Sequence, residues 1–264
     1  MGSETRDVAT EDGVYISYSV FDGTDPAVII LHGLAGSSLE FIPTARALTG
    51  RKVILIDQRG HGRSTRLPAD TSREAFVGDV VRVIAAEGLG PVDLVGQSMG
   101  AHTAMLVAAA HPELVRRLVL LEGNEGGGSA EEHAAIGEYF RSWELPFATR
   151  EAARVALGDG ALAQAWAADL EERPDGFYPR FDPTVMVAAI TEVAVPRWDA
   201  WKSIDVPTLV IFADQGMFTA EQKAKFIEHG TNVLRVDLSF ASHDAHLDAF
   251  DQWIEALDRF IHVR

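Results

Sequence analysis

Short, nearly continuous apolar runs recur along the chain. They are VYISYSV at 14–20, AVIILHG at 27–33, KVILIDQ at 52–58, VDLVGQ at 92–97, RLVLLEG at 117–123, TLVIFAD at 208–214 and VLRVDLS at 233–239. Most are rich in Val, Ile and Leu with little polar alternation, which predicts strands covered on both faces, as at the centre of a parallel sheet. Between them the period lengthens. Over 71–87, Phe76, Val80 and Ile84 recur every four residues behind Thr71, with Glu74 three positions on as a capping box; this predicts an amphipathic helix. Residues 98–110 are apolar nearly all round and predict a buried helix, while 246–261 sets Leu247, Phe250, Ile254, Leu257 and Ile261 on one face. Strand alternating with helix predicts an α/β protein with a doubly wound, mostly parallel sheet.

One segment breaks this rhythm. From 126 to 201 no strand is convincing, and the stretch holds helical pieces, loops such as ERPDGFYPRFDP, and ten large rings: Tyr139, Phe140, Trp143, Phe147, Trp166, Phe177, Tyr178, Phe181, Trp198 and Trp201. An insertion this long inside a compact sheet domain is usually functional. It predicts a helical cap over one edge of the sheet, with 1–125 and 202–264 forming the core domain. The same rings would equally serve as the insertion's own core.

Composition narrows the classes. The 264 residues include 47% hydrophobic positions, enough for a real core. A net charge of −16 repels phosphate backbones and argues against a nucleic-acid partner. With no cysteine there is no disulfide framework, no thiolate nucleophile and no Cys-ligated metal, which fits a cytoplasmic protein. No apolar run is long enough to span a bilayer, the polar start MGSETRDVATEDG does not read as a signal peptide, and Arg6 breaks a myristoylation motif at Gly2. No spacing of His, Asp and Glu reads as a metal site, so neither metal nor cofactor is expected.

The chemistry concentrates at Gly96-Gln97-Ser98-Met99-Gly100, a G-x-S-x-G between an apolar strand and a buried helix. A very tight turn there requires glycine on both sides and lifts the serine hydroxyl to a helix N-terminus, where backbone N–H groups face developing negative charge. An idle serine in a tight turn would need no such context.

Four stretches, HGLAGSS at 32–38, DQRGHGRS at 57–64, GQSMGA at 96–101 and SHDAHLDAF at 242–250, come in an order and spacing that resembles the α/β-hydrolase family across essentially the whole chain. The resemblance implies an eight-stranded, mostly parallel sheet with a helical cap after the family's sixth strand. It implies Ser98 as nucleophile and a histidine base after the last strand. Two candidates fall there: His243 holds the family's position and is the expected base, and His246, at the start of the final helix, is the alternative, with a structural or cap-contacting role as its other reading. The oxyanion donors would be the backbone N–H groups of Met99 and Leu34. Asp57, Arg59 and His61 would belong to a structural turn, and His102 reads as a core histidine. The family usually places the triad acid after strand seven, at the end of a stretch that here reads Ala213-Asp214-Gln215-Gly216, so glycine stands at the acid's position. Some members carry the acid directly after strand six instead, which here is Glu122, 24 residues beyond Ser98; fungal lactonases that open resorcylic macrolactones share this arrangement. Glu122 is the expected acid and Asp214 the alternative, while a turn cap at Glu122 and an Asx turn at Asp214 would explain each without catalysis.

The expected function is a cofactor-free serine hydrolase that cleaves a carboxylic ester or lactone through an acyl-enzyme, on a small apolar substrate, without nucleic acid or membrane as partner. The alternatives are another enzyme on the same fold (a C–C bond hydrolase, a hydroxynitrile lyase or a cofactor-free oxygenase) or a non-catalytic small-molecule receptor.

Overall fold

The computed structural model describes residues 2–262, so Met1, Val263 and Arg264 of the expected core lie outside the described residues. In chain order the strands are β1 (Ser3–Ala9), β2 (Tyr15–Phe21), β3 (Thr24–Leu31), β4 (Arg51–Ile56), β5 (Val92–Gln97), β6 (Val115–Leu121), β7 (Glu171–Arg173), β8 (Gly176–Tyr178), β9 (Thr208–Gln215) and β10 (Val233–Ser242). Among the described residues eight of them form one sheet, ordered β1-β2-β4-β3-β5-β6-β9-β10. β2 pairs antiparallel with both β1 and β4, and the remaining neighbours are parallel. This is the doubly wound α/β sheet that the apolar runs predict.

The runs lack alternation because both faces of the sheet are covered. Ile29, Leu31, Leu94, Leu118, Leu120, Val210 and Phe212 face one layer. That layer holds α2 (Arg73–Ala86), α3 (Met99–Ala110) and α9 (Ala220–Glu228). Their sequence neighbours Val28, Ile30, Val95, Val119, Leu121, Leu209 and Ile211 face the other. There α1 (Ile42–Ala47) and α11 (Phe250–His262) pack. β1 was not visible as an apolar run. It is an edge strand, exposed along most of its length with only Val8 turned fully inward, so it needs backbone pairing rather than hydrophobicity.

Three local readings are corrected. The first turn of α2 is capped by Ser72, whose hydroxyl accepts from Ala75 N–H at 3.2 Å, and not by Thr71; Glu74 instead faces Arg197 at 3.3 Å. The terminal helix is broken at Ala249 into α10 (Ala245–Asp248) and α11. Between β6 and β9 lie the helices α4 (Ala130–Arg141), α5 (Arg150–Leu157), α6 (Ala161–Ala168), α7 (Pro183–Val193) and α8 (Trp198–Ser203), but also the β7–β8 hairpin, where a loop was expected. Its Pro174-Asp175 turn is followed by Gly176 at φ 143°, a conformation that glycine tolerates.

The ten rings of this segment divide. Trp143, Phe147 and Phe181 pack within it, whereas Trp201 is fully buried in the sheet's own core. Trp201 stacks on Phe226 at 4.1 Å and donates its indole N–H to the Phe226 carbonyl at 2.8 Å. Trp201→Ala should therefore cost about 3–5 kcal/mol. Calorimetry should show Tm falling by roughly 6–20 °C; a shift below about 3 °C would place Trp201 outside the cooperative core.

Candidate active site

Ser98 leaves β5 and enters α3 at φ 54° and ψ −119°, a backbone conformation L-residues rarely adopt. The surrounding sheet holds it there. Ser98 N–H donates to the Leu121 carbonyl at 2.9 Å, and the Ser98 carbonyl accepts from His102 N–H at 3.1 Å. A Cβ at Gly96 would strike the Gly100 carbonyl, and one at Gly100 would strike the Leu31 carbonyl. Both glycines are required because backbone meets backbone. Met99 begins α3, so its N–H precedes the first intrahelical bond and has no helical partner.

Leu34 sits opposite, in the loop after β3. His32 anchors that loop: its Nδ1 bonds the Gly33 carbonyl at 2.7 Å, and its Nε2 accepts from Gln58 N–H at 3.0 Å. The DQRGHGRS turn braces it from beneath. Asp57 accepts from the N–H groups of Ser38 at 2.6 Å and Arg63 at 2.9 Å, and Arg59 clamps Asp79 with two bonds of 2.7 Å. His61 is buried against the Arg59 carbonyl at 2.8 Å. These three contact scaffold, not the cleft. His102 is buried too, its imidazole pushed down to about 3 by burial with Arg73 and Arg197 adding to it, so it stays neutral.

Glu122 is the residue after β6, at φ 48° and fully buried. Its carboxylate accepts from Ala213 N–H at 2.8 Å and Met217 N–H at 2.9 Å, and meets Nδ1 of His243 at 3.2 Å. Burial alone pushes this carboxyl up; the His243 contact and the two backbone donors outweigh it and hold the group below the ordinary glutamate range. Gly216 explains itself here. A Cβ at Gly216 would fall inside the Glu122 carboxylate, so glycine at the usual acid position vacates the space that Glu122 fills from the neighbouring strand. Asp214 points elsewhere. It is exposed, and its carboxylate accepts from Phe240 N–H at 2.9 Å and Ala241 N–H at 3.0 Å. It thereby holds the irregular turn of β10, where Phe240 takes φ 53°.

His246 meets a different carboxylate from the one that His243 meets. It is buried in α10, stacked on Phe41 at 4.3 Å, with Nε2 at 3.3 Å from Glu40. Burial pushes His246 down to about 4 and Glu40 up to about 8, so near neutrality both are uncharged. Ser98 and His243 together line a cleft of about 450 Å³, walled by Leu34, Ile136, Tyr139, Phe140, Trp166 and Met217. The insertion therefore supplies much of the wall. A second, more polar space of about 370 Å³ shares Ser98 and His243 and runs past Glu125, Glu132 and His133.

Two contributors were not singled out from the sequence. Gln97 donates its side-chain N–H to the His243 carbonyl at 3.1 Å, linking the elbow to the histidine loop. Glu40 closes a capping box with Ser37, accepting from Ser37 N–H at 3.2 Å, and also reaches the cleft. The signals were there, a polar residue ending an apolar strand and an S-x-x-E cap, but neither indicates a direction in space.

An elbow serine at the carboxyl edge of this sheet, with a histidine and a buried carboxylate delivered from later loops, defines the α/β-hydrolase fold. A family model described as the alpha/beta hydrolase fold matches residues 26–138. The chain is 42% identical over 139 residues to the sn-1-specific diacylglycerol lipase ABHD11 of Mus musculus, an alignment covering 50% of this chain and 44% of that one. It thus spans less than half the length of that relative. Similarity to the (E)-2-((N-methylformamido)methylene)succinate hydrolase of Acinetobacter baylyi is lower, 26%, but covers 88% of this chain and 92% of the other. Among solved structures, E-2-(acetamidomethylene)succinate hydrolase superposes with a TM-score of 0.89 over 99% of this chain and 100% of its own, at 21% identity. The enol-lactonase from Burkholderia xenovorans LB400 gives 0.80 over 98% and 100%, at 20%. These two structures share the fold.

The Glu40 carboxyl carries a pH signature. Its folded value, about 8, lies above the ordinary 4.5, so the stability it contributes is whole below about 4.5 and is lost as pH rises through 8. Glu40→Gln keeps the capping acceptor and removes the titration. Between pH 5 and 8 wild type should lose stability relative to Glu40→Gln, opening a Tm gap of roughly 3 °C or more. Parallel Tm curves for the two proteins across that range would refute the assignment.

Proposed function

We propose that this protein is a cofactor-free serine hydrolase that cleaves a carboxylic ester or lactone. The observation that carries the reading is the 3.2 Å contact of buried Glu122 with His243, which lines one cleft with the elbow Ser98. In this reading Ser98 Oγ attacks the carbonyl carbon and passes its proton to His243 Nε2, while Glu122 on Nδ1 holds the tautomer and stabilises the imidazolium. The N–H groups of Leu34 and Met99 receive the oxyanion, a pair of donors worth about 3–4 kcal/mol each. His243 returns the proton to the leaving alcohol, the acyl-enzyme forms, and a water deprotonated by His243 releases the acid. The segment between β6 and β9 acts as a cap, since Ile136, Tyr139, Phe140 and Trp166 wall the cleft over the serine. The relatives named for lipase and lactonase activities support this reading. Other chemistry on the same fold is the second reading, favoured by the relative that aligns along most of the chain and is named for a succinate derivative.

A panel of p-nitrophenyl esters, lactones and dienones, with fluorophosphonate labelling, separates these. Ser98→Ala should lose about 10⁴-fold in kcat while remaining folded. Glu122→Gln should lose on the order of 10³–10⁴-fold, and Gly216→Ala, which displaces the same carboxylate, about 10²-fold or more. Asp214→Asn should cost less than about tenfold. A folded Ser98→Ala with near-native turnover ends the reading, and a near-native Glu122→Gln beside a crippled Asp214→Asn moves the acid.

A further inference from the structure

We propose that the cleft selects uncharged substrates: the space beside Ser98 that Glu40 and Asp244 close rejects a carboxylate on the acyl chain. This rests on the ester-hydrolase reading of Ser98 and specifies its substrate class.

The first ground is what lines the space. Besides Ser98 and His243, the residues with polar side-chain groups on the cleft are Glu40, Gln97, Asp244, Tyr139 and Trp166; the other side chains of its lining are apolar, and no Lys or Arg borders it among the described residues. The adjoining polar space adds Glu122, Glu125 and Glu132 together with His102, Asn124, His133 and Gln222, and again no Lys or Arg. The arginines nearby border neither of these two spaces. Arg180 borders a small neighbouring cavity that shares Glu40 and Trp166, but Asp169 holds it at 3.3 Å and also binds Arg63 at 3.0 Å. Arg73 is buried against Thr103 and the Met99 carbonyl and borders neither space.

The second ground is that two side chains beside Ser98 already turn donors to protein partners. Gln97 has turned its amide N–H to the His243 carbonyl at 3.1 Å, with Asp244 Oδ1 at 3.5 Å. His243 Nδ1 is taken by Glu122. A carboxylate entering a largely apolar space that no cation faces loses hydration and regains only part of it.

The site's own carboxyls report the same environment. Burial raises Asp244 above its ordinary range and Glu40 to about 8. A cleft that keeps its own acid protonated is a poor host for another anion. The net charge of −16 works in the same direction at longer range.

The test uses three p-nitrophenyl esters that share a six-carbon acyl chain: hexanoate, the methyl adipate and the monoadipate. The first two are neutral, and the methyl ester matches the bulk and polarity of the third without its charge. For wild type, kcat/KM on the two neutral esters should agree within about tenfold, and the monoadipate should fall about 100-fold or more below the methyl adipate. Asp244→Asn should narrow that ratio at least about fivefold, since a carboxyl facing the incoming anion is gone. Equal turnover of the monoadipate and the methyl adipate overturns the proposal and leaves the serine-esterase reading intact. A second readout does not need turnover. In Ser98→Ala, binding of hexanamide and of the monoamide of adipic acid is followed by tryptophan fluorescence, because Trp166 lines the cleft. Weaker binding of the anion by about tenfold or more supports charge exclusion, even if none of the esters is cleaved; equal binding overturns it.

Discussion

A carboxylate without solvent must be met by donors from its surroundings, and the Glu122 side chain imposes that requirement on this fold. Its two oxygens draw N–H groups from Ala213, at the end of β9, and Met217 beyond it, and the ring of His243 from the loop after β10. Two segments far from β6 in sequence, the end of β9 and the loop after β10, are thereby fixed to its end. The space for this is kept by Gly216, where any side chain would overlap the carboxylate. Glu122 and Gly216 are thus one spatial feature divided between two neighbouring strands. In the proposed mechanism the same contact orients the base, so the constraint that closes the carboxyl edge of the sheet also prepares the site.

The elbow follows a similar logic with backbone in place of charge. Ser98 is held at positive φ because Gly96 and Gly100 let β5, α3 and the end of β3 approach to distances that a Cβ would forbid. Gln97, inside the motif, ties the elbow to the backbone of His243. The rigid half of the site is therefore continuous with the buried sheet. The other half is drawn from the segment between β6 and β9, whose rings form the cleft wall while its own core is built from Trp143, Phe147 and Phe181. In the proposed reading this division leaves chemistry on the sheet and shape to the insertion.

Much was legible in the chain itself. Apolar runs of four to seven residues identify the inner strands because a strand covered on both faces cannot alternate. GQSMG between such a run and an apolar helix identifies the elbow because only glycine tolerates its geometry. β1 escaped notice, since a solvated edge strand carries no apolar signal. The β7–β8 hairpin escaped too, being three residues a side and polar on one strand.

What the sequence by itself determined is thus the set of local and periodic features: the order of inner strands and helices, the elbow at Ser98, and a short set of candidates in which Glu122 and Asp214 competed. Only the tertiary structure decided where those candidates point. Asp214 and Glu122 both end strands at the same edge of the sheet, yet one carboxylate turns out to cap the β10 bulge and the other turns in to His243. His243 and His246 are three residues apart, yet one borders the cleft and the other is buried on Phe41 and Glu40. Glu40 reads as a helix cap and is also a wall of the cleft. Side-chain direction at a strand end depends on which neighbouring strand leaves room and which backbone donors lie opposite, and both are set by packing between segments that the linear chain keeps far apart.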